Sequence, residues 1–160
     1  MANPIFFFRK NKPFSELSNF APFGFEADGV PWATVEHFFQ AQKFDDPAYR
    51  ERIRSARSPL DAKTLGQTRK IPIRPDWESV KESVMKRALR LKFQNPQLRS
   101  LLLSTKARPL VEDSPYDRYW GAGRDGKGKN RLGILLMEIR DEIRSGACQD
   151  VEGDINADRF

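Results

Sequence analysis

The stretch Trp32-Ala-Thr-Val-Glu-His-Phe-Phe-Gln-Ala-Gln-Lys-Phe44 is where the apolar pattern of this chain changes its period. Ahead of it the apolar residues come in short strand-like runs. Behind it comes a series of helix starts. Thr34 is placed to cap a helix running to about Phe44. On a helical wheel Gln40 falls about 40° from Glu36, and Lys43 about 20° to its other side. Val35, Phe38 and Phe39 lie across the helix, so an acid, an amide and an amine share one stripe backed by aromatics.

Toward the N-terminus, residues 5–9 read as a short buried strand and residues 14–22 as a Ser- and Asn-containing loop. Residues 23–27 lead into Asp28-Gly29, and residues 30–32 follow, which predicts a hairpin. Toward the C-terminus, Asp46-Pro47, Ser58-Pro59 and Asn95-Pro96 each pair a capping residue with proline at the first helical position. They predict helices over residues 47–55, 59–66 and 96–104. The longest helix is expected over residues 76–94, with Trp77, Val80, Val84, Ala88 and Leu91 as its core-facing stripe. Leu110-Val111 fits one more short strand. A glycine-rich loop over residues 120–130 runs into a last amphipathic helix, residues 131–144, stopped by Gly146. The pattern predicts an α+β fold, mostly helical, in one compact domain over residues 1–146 with a few short N-terminal strands. Residues 147–160 read as an acidic, disordered tail.

The 160 residues are 39% hydrophobic and 31% charged, enough apolar side chain for a core without a staple. One Cys excludes a disulfide framework or a Cys-rich zinc site, and one His excludes a poly-histidine metal centre. No stretch approaches the ~20 apolar residues of a membrane helix, and the run at 5–8 is too short for a signal-peptide core, so the expectation is a cytoplasmic protein. The net charge is +6. The tail carries Asp150, Glu152, Asp154 and Asp158 against Arg159, a net −3, which leaves +9 on the rest. Such a surface favours anionic partners, although it also serves simple solubility.

Three groups of residues could carry chemistry. Glu36, Gln40 and Lys43 form the first, and the competing reading is a solvated helix face, with Glu36 near the positive dipole end and Lys43 near the negative one. His37 points away from Glu36 and reads as a packing or capping residue. The second is Gly121-Ala-Gly-Arg-Asp-Gly-Lys-Gly-Lys-Asn130. Glycines and a following helix N-terminus can present N–H groups to an anion, with Arg124, Lys127 and Lys129 adding charge. It nearly spells an NTPase phosphate loop over residues 121–128, but the residue after Lys127 is Gly128 rather than Ser or Thr. A dinucleotide fingerprint fails too, for want of a following strand with its ribose-binding acid. A generic phosphate-binding turn and a plain polar loop both remain. The third group is aromatic. Trp120 is either a stacking platform for a heterocycle or a hydrophobic plug, Trp32 likewise, and Trp77 belongs to the core stripe. Ser18-Asn19-Phe20 offers a turn or a hydroxyl-binding stretch.

In order along the chain these residues resemble a family pattern. It runs through Ser18-Asn19-Phe20, Trp32-Ala-Thr-Val-Glu-His37, Gln40-Ala-Gln-Lys43-Phe44 and Trp77-Glu-Ser-Val-Lys81 with Met85. Leu110-Val-Glu112, Asp117-Arg-Tyr-Trp-Gly121 and Lys129-Asn-Arg-Leu-Gly133 with Leu136-Met137 and Arg140 complete it. The ensemble is similar to the NADAR (YbiA-like) family of N-glycosidases over roughly residues 4–145. The resemblance implies a mostly helical α+β domain that hydrolyses N-glycosidic bonds. Its substrates would be early phosphorylated ribosylamino-pyrimidine intermediates of riboflavin biosynthesis, cleaved to ribose 5-phosphate and the free heterocycle. It implies Glu36 as the catalytic acid and Lys43 as the residue handling the anomeric carbon.

Alongside it we expect the following assignments. Trp120 takes the heterocycle; the cations and glycines of the loop (Gly121, Gly123, Arg124, Lys127, Lys129, Asn130) take the phosphate; and Asp117 binds a ribose hydroxyl or caps the loop. Ser18, Asn19, Trp32, Gln40 and Trp77 are further candidate substrate contacts. No metal or organic cofactor is required. Two alternatives stay open: a glycohydrolase removing ADP-ribose from guanine in nucleic acid, and a non-catalytic nucleotide or nucleic-acid binder.

Overall fold

The computed structural model describes residues 2–147. Its elements in chain order are β1 (Ile5–Phe7), a 3-10 turn (Ser15–Leu17), β2 (Phe25–Ala27), β3 (Val30–Trp32) and α1 (Val35–Gln42). There follow α2 (Pro47–Arg54), α3 (Pro59–Gly66), α4 (Trp77–Lys92), α5 (Pro96–Ser104), β4 (Leu110–Glu112) and α6 (Arg131–Ser145). The fold is α+β and mostly helical. No helix among the described residues is long and apolar enough to cross a membrane. The acidic segment expected to be a tail lies, from residue 148 on, outside the described residues.

The described residues divide into two units, 2–18 with 93–147 and 19–92. In the first, β1 pairs in parallel with β4, Ile5 facing Leu110 and Phe7 facing Glu112. Ile5, Phe7, Leu17, Leu98, Leu102, Leu110, Leu132, Leu136 and Ile139 are buried there. Arg140, buried on α6, donates to Thr105 Oγ1 at 2.9 Å and to the Arg108 carbonyl at 2.8 Å. The 3-10 turn stands where the sequence reads as loop. Phe14 enters it at φ 64, a left-handed residue that apolar periodicity gives no reason to place there.

In the second unit β2 and β3 form the expected hairpin, with Asp28 at φ 53 and Gly29 at φ 77. Positive φ at both central residues is what a two-residue hairpin turn of matching twist demands. Each expected cap closes its helix. Thr34 accepts from His37 N at 3.2 Å, Asp46 from Tyr49 N at 3.0 Å and Ser58 from Asp61 N at 3.0 Å. Asn95 does the same for α5, in the first unit. Helix α1 packs against α2, α3 and α4. Its Val35, Phe38 and Phe39 are buried with Trp32, Phe44, Trp77, Met85 and Leu89.

The stripe of α4 departs from expectation. Trp77, Met85, Ala88, Leu89 and Lys92 are its buried residues, whereas Val80, Val84 and Leu91 are half-buried. The helix is rotated about its axis toward Met85 and Leu89, and within its unit it packs against α1 and β2. Sequence spacing fixes the period and not the phase.

Candidate active site on helix α1

Seven of the eight residues of α1 are buried, Glu36, His37 and Gln40 among them. Glu36 is only 7% exposed, so the solvated-face reading fails for it. The helix start is fixed twice: Glu36 N donates to the Asn19 carbonyl at 3.2 Å, and Thr34 caps His37. One turn on, Gln40 donates from Nε2 to Glu36 Oε1 at 2.7 Å. The stripe read from the sequence is therefore a hydrogen-bonded one. A buried carboxyl with one oxygen held by an amide N–H keeps a fixed orientation, as a proton-transfer group must.

Lys43, at the C-terminal cap of α1, donates from Nζ to the Gly66 carbonyl at 3.3 Å. Burial pushes its pKa below the ordinary lysine value; Glu36 and Glu78 pull it back up, and Lys63 and Lys81 push it further down. The acid and the amine thus sense each other across two turns. Desolvation of an amine is a common route to a neutral, nucleophilic lysine.

His37 has both ring nitrogens engaged. Nε2 meets the Ala56 carbonyl at 3.0 Å, and Nδ1 meets Thr34 Oγ1 at 2.8 Å. A carbonyl only accepts, so Nε2 carries a proton. His37 ties α1 to the end of α2, the packing role expected of it.

The other candidates of this unit are arranged as follows. Asn19, buried, donates from Nδ2 to Met85 Sδ at 3.5 Å, and its Oδ1 has no hydrogen-bond partner among the described residues. Trp32 is buried edge-on to Phe38 at 5.3 Å, and its Nε1 has no hydrogen-bond partner among the described residues. Trp77 is buried against Phe39 at 5.0 Å, as its place on the core-facing stripe predicts. Sequence reasoning missed Lys63 and Lys81 as neighbours of Lys43, and Gly66 as its acceptor. A separate cleft of about 410 Å³ on α2 and α3, lined by Arg52, Ser55, Arg57, Asp61 and Thr64 among others, contains none of the expected site residues.

In the first unit, Ser18 closes the 3-10 turn, its N–H donating to the Ser15 carbonyl at 3.0 Å. In the glycine segment most of the N–H groups near the helix start are used within the chain. The N–H groups of Gly128, Lys129, Asn130, Arg131 and Leu132 donate to the carbonyls of Ala122, Arg118, Gly121, Tyr119 and Trp120. The N–H groups that lead into α6, through Leu132, are therefore engaged by the preceding chain. Gly128 serves close approach: a Cβ there would lie 2.7 Å from the Ala122 carbonyl carbon.

Asn130 is spent on the fold, accepting from Glu112 N and donating to Leu110 O, both at 2.9 Å. Asp117 Oδ1 accepts from Tyr119 N at 2.9 Å and Trp120 N at 2.8 Å, which makes it a loop cap. Gly121 and Gly123 are buried. Arg124 and Lys127 are exposed, and Lys129, also exposed, lies 5.4 Å from the Tyr119 ring centre. Trp120 is half-buried, edge-on to Tyr119 at 4.9 Å.

The NADAR domain model matches residues 6–144. The chain belongs to the NADAR family. N-glycosidase YbiA of Escherichia coli (strain K12) is 51% identical over 140 residues, covering 87% of this chain and 88% of that protein. A chloroplastic riboflavin biosynthesis protein, PYRR of Zea mays, is 44% identical over 88% of this chain, which spans 25% of it. Among solved structures, the NMR structure of the E. coli protein YbiA aligns with a TM-score of 0.85 at 48% identity, covering 93% of this chain and 90% of that one.

Proposed function

We infer that this NADAR chain is an N-glycosidase, a hydrolase acting on N-glycosyl compounds of the riboflavin pathway. The observation that carries the residue assignment is the buried Glu36–Gln40 hydrogen bond with a desolvated Lys43 on the same helix stripe. The substrate we propose is a phosphorylated ribosylaminopyrimidine. Glu36 gives its proton to the nitrogen that leaves as the C–N bond breaks. Water adds to the anomeric carbon, and the proton it loses restores the carboxyl. Gln40 holds the carboxyl in place during both transfers.

Lys43 acts at the sugar. As an ammonium it balances the carboxylate; as the neutral amine that burial favours, it can bond to the opened sugar as a Schiff base, which water then hydrolyses. Lys63, whose charge reaches Lys43, supplies positive field for the sugar phosphate, while Lys81 is ion-paired with Glu78 at 2.6 Å. Half-buried Trp120, with exposed Arg124 and Lys127 nearby in sequence, is proposed as a recognition surface for an aromatic, anionic group.

The test offers purified protein a ribosylaminopyrimidine 5′-phosphate and, separately, an ADP-ribosylated guanine oligonucleotide. Release of ribose 5-phosphate from the first supports the proposal. Release of ADP-ribose alone from the second transfers the same chemistry to the other substrate class. Borohydride added during turnover assigns the capture step: a sugar adduct on Lys43 means attack by the amine, and no adduct means attack by water.

A further inference from the structure

We infer that Gly66 is a positioning residue for the Glu36–Lys43 pair, an inference that rests on the N-glycosidase reading and specifies how that site is held. Gly66 is buried, the last residue of α3, where that helix lies against α1. A Cβ at this position would overlap Gln40 Oε1 and lie 2.7 Å from Gln40 Cδ and 2.9 Å from its Cβ. The amide of Gln40 therefore occupies the space that any other residue would fill with its side chain. Its Oε1 end rests there without a hydrogen-bond partner among the described residues, while its Nε2 end reaches Glu36. Of the two ends of this buried amide, the donor is the one with a partner, and that partner is Glu36.

The same residue serves the other end of the stripe, because the Gly66 carbonyl accepts from Lys43 Nζ. That carbonyl stands at the C-terminus of α3, the end whose partial charge favours a cation. Gly66 does not have the left-handed φ that would itself call for glycine. In a helix, alanine is otherwise the better residue. Space beside Gln40, and not backbone freedom, is the reason for glycine here.

A double-mutant cycle on the full chain tests this, with kcat and KM measured at low temperature on folded protein. Gly66→Ala should lower kcat by about tenfold or more, with KM within about threefold, since it dislodges an interaction that acts through Glu36. In a Gln40→Gly background, which removes the three Gln40 atoms that the new Cβ would meet, the same change should cost less than about threefold. Equal losses in both backgrounds, or wild-type kcat in Gly66→Ala, would overturn the proposal.

If Gly66→Ala does not fold, the cycle is read in folding. Gly66→Ala/Gln40→Gly should then fold as Gln40→Gly does, and its failure to fold would count against the role. Glu36→Gln, run in parallel, separates the two levels. An inactive Glu36→Gln beside a fully active Gly66→Ala removes the positioning role alone. An active Glu36→Gln removes the catalytic reading and the positioning role with it.

Discussion

Replacing Thr34 by Val keeps the shape of a side chain only 3% exposed and deletes its hydroxyl. Two interactions disappear. The cap on His37 N at 3.2 Å is worth about 1 kcal/mol in comparable helices. The second loss strands His37 Nδ1, buried and 2.8 Å from that hydroxyl, at a cost of about 1–3 kcal/mol. Nε2 keeps its proton on the Ala56 carbonyl, so the ring cannot exchange tautomers to recover. The sum is roughly 2–4 kcal/mol, which for a chain of this size lowers Tm by roughly 5–15 °C.

Thermal unfolding followed by tryptophan fluorescence measures it, with Thr34→Ser as the control that keeps the hydroxyl and should stay close to wild type. In a His37→Leu background only the cap remains to be lost, and the cost should shrink to about 1 kcal/mol. A Thr34→Val protein melting within about 2 °C of wild type would refute the reasoning, and with it the view that this pair sets the start of the helix that carries Glu36.

Lys43→Met should lose turnover by about 10²-fold or more while melting no lower than wild type at pH 7. Burial lowers the folded-state pKa of Lys43 below its unfolded value, so the ammonium is a penalty to folding below that folded pKa. Between the two pKa values the unfolded chain binds more protons, and stability rises with pH. The advantage of Lys43→Met should therefore shrink as pH climbs toward the ordinary lysine range; unfolding series at several pH values check this, and an advantage that widens contradicts it. Asn130→Ala should destabilise by about 2–4 kcal/mol, because it frees Glu112 N and Leu110 O and replaces asparagine, which tolerates φ 49, by a residue that does so less readily. Asn130→Gly should recover only the backbone part, about 1 kcal/mol, as urea denaturation of both variants would show.

What the sequence made legible was local. Thr34, Asp46, Ser58 and Asn95 announce their helices because a cap needs only its own side chain and the next turn. Asp28-Gly29 announces the hairpin because few other pairs tolerate two positive φ values in succession. The grouping of Glu36, Gln40 and Lys43 follows from helical geometry alone. The rest depends on partners distant in the chain. The phase of α4 is set by what covers it, and the pairing of β1 with β4 joins distant segments.

The glycine segment reads two ways for a physical reason. A glycine that bares its N–H to an anion and one that makes room for a neighbouring carbonyl look alike in sequence, and Gly128 is of the second kind. Gly66 falls at the end of a helix expected over residues 59–66, and only the placement of Gln40 against it gives it another meaning. Lys63 and Lys81 sit on other helices, so no spacing rule connects them to Lys43.

The most direct test of the account is turnover of Glu36→Gln on a ribosylaminopyrimidine 5′-phosphate, read as ribose 5-phosphate released per folded molecule. Glutamine keeps the size and a hydrogen-bonding partner for Gln40 but can neither give nor regain the proton. The account predicts a fall of about 10²–10⁴-fold with unfolding unchanged within a few degrees. Turnover within about threefold of wild type would contradict it.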